Sequence, residues 1–305
     1  MVPPTSTETI SSPVITQTYT APEEPTATDL HNSSKVPHGQ SFGFPKPPKF
    51  TDKYEERRYL KRRLTLALRI FGKHGFDEGV AGHITIRDPV DPTTFWVNEF
   101  GIPFTMIHSS NLIHVNHHGK VIGGGREGKG GLLNHAAFMI HSAIHAARPD
   151  VLCAAHSHSK YGRTFTTLGR EIDITTQDSC MFWNDHAVYK QFKGIVLAEE
   201  EGQNIAKALG SKKAALLQNH GLLTVGDTVE GAVYGFLALE GCCQTQLLAD
   251  AAAAGRGGET IKIDQEDAEY TYKAVGNSRA MYFSGLPSFM VMEKELKGED
   301  WDDQK

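Results

Sequence analysis

The chain has 305 residues, 39% of them hydrophobic and 22% charged, with a formal net charge of −5 and a sequence pI near 6.3. That length supplies one large domain or two small ones, with ample material for a core. The acidic balance argues against a nucleic-acid partner, which would call for a basic face, and no apolar run approaches the ~20 residues needed to cross a bilayer.

Residues 1–45 are rich in Ser, Thr and Pro with scattered apolar residues. Such a segment cannot bury enough surface to offset its chain entropy, so disorder is expected. No apolar h-region follows a basic start, and no Lys or Arg precedes Lys35, which argues against secretory and mitochondrial leaders. The four cysteines, Cys153, Cys180, Cys242 and Cys243, fit neither a metal motif nor a disulfide framework. Buried free thiols in a reducing, cytoplasmic setting are the expectation.

A folded domain is expected over 46–290. In "FTDKYEERRYLKRRLTLALRIFGKHGF", Leu60, Leu64, Leu66, Leu68 and Phe71 place most of an apolar stripe on one helix face, with Gly75 as the stop. "AGHITIRDP" and "TFWVNEFG" read as strands joined by the turn residues "DPVDP". "GKVIGGGREGKGG" reads as a loop. "LNHAAFMIHSAIHAARPD" is a helix ended by Pro149, with His141 and His145 spaced i, i+4 as packing residues. "VLCAAH" follows as a buried strand. After mixed short strands and turns comes a helix in "EEGQNIAKALG". "KAALLQNHGLLTVGD" gives two strands around Asn219-His220-Gly221, and "TVEGAVYGFLALEGCC" opens a long helix with Thr228 as N-cap. Residues 291–305 form an acidic tail. Helices flanking a set of short, often hairpin-linked strands predict an α/β/α sandwich around a mixed, largely antiparallel sheet.

Three histidines carry the chemistry. His156 and His158 end an apolar strand, and residues i and i+2 project to the same side, as two ligands of one ion must. His220 follows a second apolar strand. Three neutral imidazoles with an open position are the plan of a catalytic zinc or a related divalent ion; otherwise the pair closes a strand and His220 a turn. Gly123, Gly128 and Lys129 mimic the start of a phosphate-binding loop, but Gly130 stands where its hydroxyl residue belongs. No GxSxG elbow is present.

With these segments in view, the sequence resembles the class II aldolase/adducin family. "GVAGHITIRDP", "FWVNEFGIPF", "NHAAFMIHSAIHAARPDVLCAAHSHS" and "LLQNHGLLTVGDTVEGA" carry the resemblance in order, over roughly residues 55–255. It implies zinc on His156, His158 and His220, and a tetramer with active sites near subunit borders. It also shows departures. The acid/base glutamate of the aldolases falls at Ala137, their phosphate-holding serines at His135 and Ala136, and their early asparagine at His83. A standard sugar-phosphate aldolase is therefore not expected. The missing glutamate resembles the adducin-like branch, whose cytoskeletal members add a neck and a basic tail for actin and spectrin that this acidic-ended chain does not show.

The leading expectation is a metal-dependent lyase-like enzyme, performing aldol cleavage, decarboxylation or a related proton transfer on a small hydroxy-carbonyl or keto-acid substrate. His135, Asp178 and Tyr189, which lie in segments near the matching site, are the candidate proton carriers. Ferrous iron in place of zinc would make the same histidines an oxygenase site. The alternative is a non-catalytic, adducin-head-like protein whose partner would be the actin cytoskeleton.

Overall fold

In the computed structural model, Asp52 accepts a hydrogen bond from the Tyr54 N–H at 2.8 Å and caps helix α1, Lys53–Lys73. Residues 45–192, 194, 199–299 and 301–302 are described, so the expected disordered segment lies outside them. The stripe of α1 is fully used: Leu60, Leu64, Leu68 and Phe71 are buried, and His74 and Gly75 end the helix.

Antiparallel strands β1 (His83–Arg87) and β2 (Phe95–Asn98) follow, with Thr85 opposite Val97. Strand β3 (Leu112–Val115) pairs with β2. The glycine-rich run expected as a loop contributes an edge strand, β4 (Val121–Gly124). Glycine weakens strand propensity, but here it permits contact. A Cβ on Gly124, whose φ is +70°, would lie 2.3 Å from the Leu112 carbonyl oxygen.

Helix α2 (His135–Ala147) ends before Arg148, because the residue preceding Pro149 is disfavoured in helical geometry. The remaining elements are β5 (Cys153–Ser157), α3 (Lys160–Thr166), β6 (His186–Tyr189), α4 (Glu199–Leu209), β7 (Ala214–Leu217), β8 (Gly221–Gly226), α5 (Val229–Ala254), α6 (Gln265–Val275) and α7 (Ser278–Glu295).

The strands form one sheet in the order β4-β3-β2-β1-β5-β8-β7-β6, antiparallel throughout except for β6–β7. Its alternation sorts the core into two layers. Cys153, Ala155, Ala214, Leu216 and Leu222 face one cluster, with Phe71, Phe76 and Phe236 from α1, the segment after it and α5. Ala154, Ala215, Leu217, Leu223 and Val225 face the other, with Ile140 and Ile144 of α2 and Ile205 and Leu209 of α4. Each fully buried Leu, Ile, Val or Phe among them contributes about 1.5–3 kcal/mol. The fold is the expected α/β/α sandwich.

Two tethers close the first layer. The buried Arg63 of α1 donates to Glu230 of α5 at 2.7 Å and to Glu293 of α7 at 2.9 Å. Trp301, near the acidic end, packs down as well: it is buried, its carbonyl accepts from the Ser109 N–H at 3.0 Å, and Arg62 lies over its ring. Among the described residues no helix is long and apolar enough to cross a membrane.

Thr228 caps α5 as its sequence predicts, accepting from the Gly231 N–H at 3.1 Å. Thr228→Ala is expected to cost about 1 kcal/mol, read as a lowered urea midpoint that Thr228→Ser restores.

Candidate metal centre

The centre lies where β5 and β8 meet, on the α2 side of the sheet. His156 is the fourth residue of β5, and its Nδ1 donates to the Leu222 carbonyl at 2.8 Å. A carbonyl only accepts, so the proton sits on Nδ1 and the lone pair on Nε2. His158 projects from the same strand side two residues on. The turn before β8 delivers His220. Asn219 adopts φ +57° there, a left-handed conformation that Asn tolerates, and the His220 N–H bonds the Leu217 carbonyl at 3.0 Å.

The three rings stand with centroids 4.7 to 5.2 Å apart, and one ring nitrogen from each lies within 4.8 Å of the others. Among the described residues this is the group of His, Cys, Asp or Glu side chains able to share an ion. Burial, reinforced by His220, His83 and His158, drives His156 well below the usual imidazole range. Burial and then His158 bring His220 down to about 4. Burial lowers His158 too, helped by Arg163 and opposed by Glu78. All three imidazoles are therefore neutral near pH 7, the state in which they accept a cation.

The supports are built from the opposite layer. Ser157, facing the other way, donates to the Phe76 carbonyl at 2.5 Å. Glu240 of α5 accepts from Ser159 Oγ, the Tyr161 N–H and the Gly162 N–H at 2.5, 2.8 and 2.6 Å, anchoring the start of α3 just beyond His158.

A cleft of about 870 Å³ opens over the three rings. Its lining includes the apolar Phe100, Ala137, Ile140 and Phe192, and also Glu78 and Arg163. His83 also lines it, directly across from His156 in the β1–β5 pairing. The His83 ring is 5.0 Å from that of His156 and 4.1 Å from that of His141, and its buried Nε2 has no hydrogen-bond partner. Behind it, Thr85 Oγ1 joins His141 Nδ1 and His145 Nε2, both at 2.8 Å, so these two helix histidines pack as expected.

The structure brings His156, His158 and His220 together, and it does not bring the candidate proton carriers to them. His135 is exposed at the first turn of α2, beside Phe138. Asn134, Ala136, Ala137 and Ile140 are the residues of that stretch that turn to the cleft. Asp178 is exposed in the short helical turn Asp178–Phe182. Tyr189 ends β6 and is buried, donating to Glu201 at 2.7 Å; burial and that bond push its hydroxyl up to about 12. None of the three lines the cleft. His83, which the resemblance marks as the place of the aldolases' asparagine, does line it; Glu78 and Arg163, which also do, stand out only once the path of their segments is known.

The family described as "Class II Aldolase and Adducin N-terminal domain" matches residues 62–247. Decarboxylase NovR of Streptomyces niveus is 44% identical over 261 residues, 85% of this chain and 92% of its own length. The 4-hydroxy-3-prenylphenylpyruvate oxygenase/4-hydroxy-3-prenylbenzoate synthase of Streptomyces roseochromogenus subsp. oscitans is 44% identical over 223 residues, 72% of this chain and 78% of its own. Among solved structures, L-fuculose 1-phosphate aldolase from Glaciozyma antarctica PI12 is 50% identical, covers 84% of this chain and 96% of its own, and superposes with a TM-score of 0.77.

Proposed function

The chain belongs to the class II aldolase and adducin family, and from that premise we propose that it is a metal-dependent, lyase-like enzyme acting on a small hydroxy-carbonyl or keto-acid substrate at His156, His158 and His220. The observation that carries the reading is the convergence of three neutral imidazole nitrogens within 4.8 Å at the floor of a cleft. A divalent ion bound there supplies Lewis acidity toward a carbonyl or enolate oxygen. Neutral ligands leave that charge for the substrate rather than cancelling it.

The chain's own residues narrow the reaction. Ala137 is buried against the cleft and can carry no proton, and Ala136 offers a phosphate no hydrogen bond. Both speak against sugar-phosphate aldol cleavage. Loss of carbon dioxide from a β-keto acid needs an electron sink at the carbonyl and no base, so decarboxylation suits a cleft whose one carboxylate among the described residues, Glu78, is tied to Arg163. The name of the Streptomyces niveus relative points the same way. The apolar residues of the lining favour a hydrocarbon-bearing substrate.

The printed name of the Streptomyces roseochromogenus relative favours a second reading, in which the same histidines hold ferrous iron for oxygenase chemistry. Metal analysis of protein purified without a His-tag decides between them, with His156→Ala/His158→Ala measured beside it. About one zinc per chain, absent from the double variant, is expected for the lyase; about one iron selects the oxygenase. No stoichiometric metal after reconstitution with zinc and with anaerobic ferrous iron would overturn both.

A further inference from the structure

Among the described residues that line the cleft, Glu78 is the single carboxylate and Arg163 the single permanent cation. They are bound to each other. Arg163 donates through both terminal nitrogens to the two Glu78 oxygens, the second bond at 3.1 Å. Neither is buried: their side chains are 46% and 41% exposed. An exposed pair contributes modestly to folding stability, more when bidentate as here; a tethering role alone does not account for its place on the cleft lining. Arg163 lies on α3, which starts two residues beyond His158, and so the guanidinium is held to the same rigid edge as the metal centre.

We infer that Arg163 anchors the carboxylate of the substrate, and that Glu78 is an internal stand-in occupying the guanidinium fork until that carboxylate displaces it. This rests on the cleft being the substrate site proposed above. The planar fork matches a carboxylate bidentately, as the pairing with Glu78 already shows. A phosphate is a poorer fit to the described lining, which presents methyl groups at Ala136 and Ala137 and, among the described residues, no permanent cation besides Arg163. The apolar residues of the lining, Phe100, Ala137, Ile140 and Phe192, then receive the remainder of an aryl- or alkyl-substituted keto acid. Exchange of one carboxylate for another on Arg163 conserves the ion pair, so recognition costs little desolvation. A neutral substrate gains nothing from the same site.

The stand-in role gives the two residues opposite signs. Calorimetric titration of the full-length, metal-loaded protein with phenylpyruvate, an α-keto acid that cannot follow the β-keto route and so reports binding without turnover, tests this, with phenylacetone as the neutral counterpart and dihydroxyacetone phosphate as the phosphate probe. Arg163→Gln is expected to weaken phenylpyruvate binding about tenfold or more, and Arg163→Lys less so, with phenylacetone unaffected by either. Glu78→Gln is expected to tighten phenylpyruvate severalfold, because its internal competitor is gone; a purely structural pair would weaken binding in both variants. Unchanged binding in Arg163→Gln, weakened binding in Glu78→Gln, or no phenylpyruvate binding by the wild-type protein would overturn the assignment. An Arg163-dependent preference for dihydroxyacetone phosphate would overturn the carboxylate in favour of phosphate. The titrations are repeated on metal-free protein. Arg163 dependence persisting in a protein that takes up no metal would sink the metal reading and leave this one standing.

Discussion

Metal-free protein brought from pH 7.5 to pH 5 is expected to lose most of its stability and to unfold cooperatively within that window. Burial holds His83, His141 and His156 well below the usual imidazole range and takes His145 down to about 3. The unfolded chain protonates these groups near pH 6.5 and the folded chain far lower. Below pH 6.5 the unfolded state therefore binds more protons, so stability is complete above that pH and drains as pH falls. Each histidine contributes up to about 1.4 kcal/mol per pH unit. Four acting together remove roughly 5 kcal/mol per unit at most, against a typical total of about 5–15 kcal/mol. Asp88 is not the source. Burial alone would raise its carboxyl, but bonds from His114 and Arg57 bring it to about 2, so it stays ionised through the window. Urea unfolding at half-unit pH steps measures the slope, and His145→Gln should reduce it by about one proton. Stability that stays level down to pH 5 would refute the account.

Gly221→Ala is expected to weaken metal binding about five- to 150-fold without touching a ligand. Gly221 joins His220 to β8, and an added Cβ would lie 2.4 Å from the Ser157 carbonyl oxygen and 3.4 Å from His156 Cε1. The obstructing atom is backbone and cannot rotate away. β5 and β8 must part where they hold the histidines, at a cost of about 1–3 kcal/mol, as for other overpacked sites. Metal affinity and the urea midpoint should fall together. Wild-type affinity with an unchanged midpoint would show that the strands absorb the methyl group elsewhere.

The contrast between these residues and the candidate proton carriers shows what a sequence can reveal here. His156 and His158 announce themselves because a strand repeats every two residues, and His220 because it too closes an apolar strand. The layers were legible for the same reason: "VLCAAH" and "AALLQ" read as buried strands between helices, and the structure sorts their alternate residues onto two faces. Strand β4 was hidden because its glycines carry no side-chain signal and matter only through the close approach to Leu112. The sequence marks His83 only through the resemblance, as the place of the aldolases' asparagine; its relation to His156 is a cross-strand register, which no local pattern encodes. His135, Asp178 and Tyr189 were chosen for nearness along the chain. Helix phase turns Ala136 and Ala137 to the cleft instead of His135, and Tyr189 finds Glu201.

His156 and the carbonyl that fixes its tautomer, Leu222, are 66 residues apart in the chain. Contacts so remote close late, because the entropy of a long loop must be met before the pairing returns anything. An ion sharing His156 and His220 can be captured only by chains that have already joined these two strands. It would then act as a ratchet on a late step, leaving the folding rate nearly unchanged and slowing unfolding. The lifetime of the native state would thus depend on the free-metal concentration around the protein.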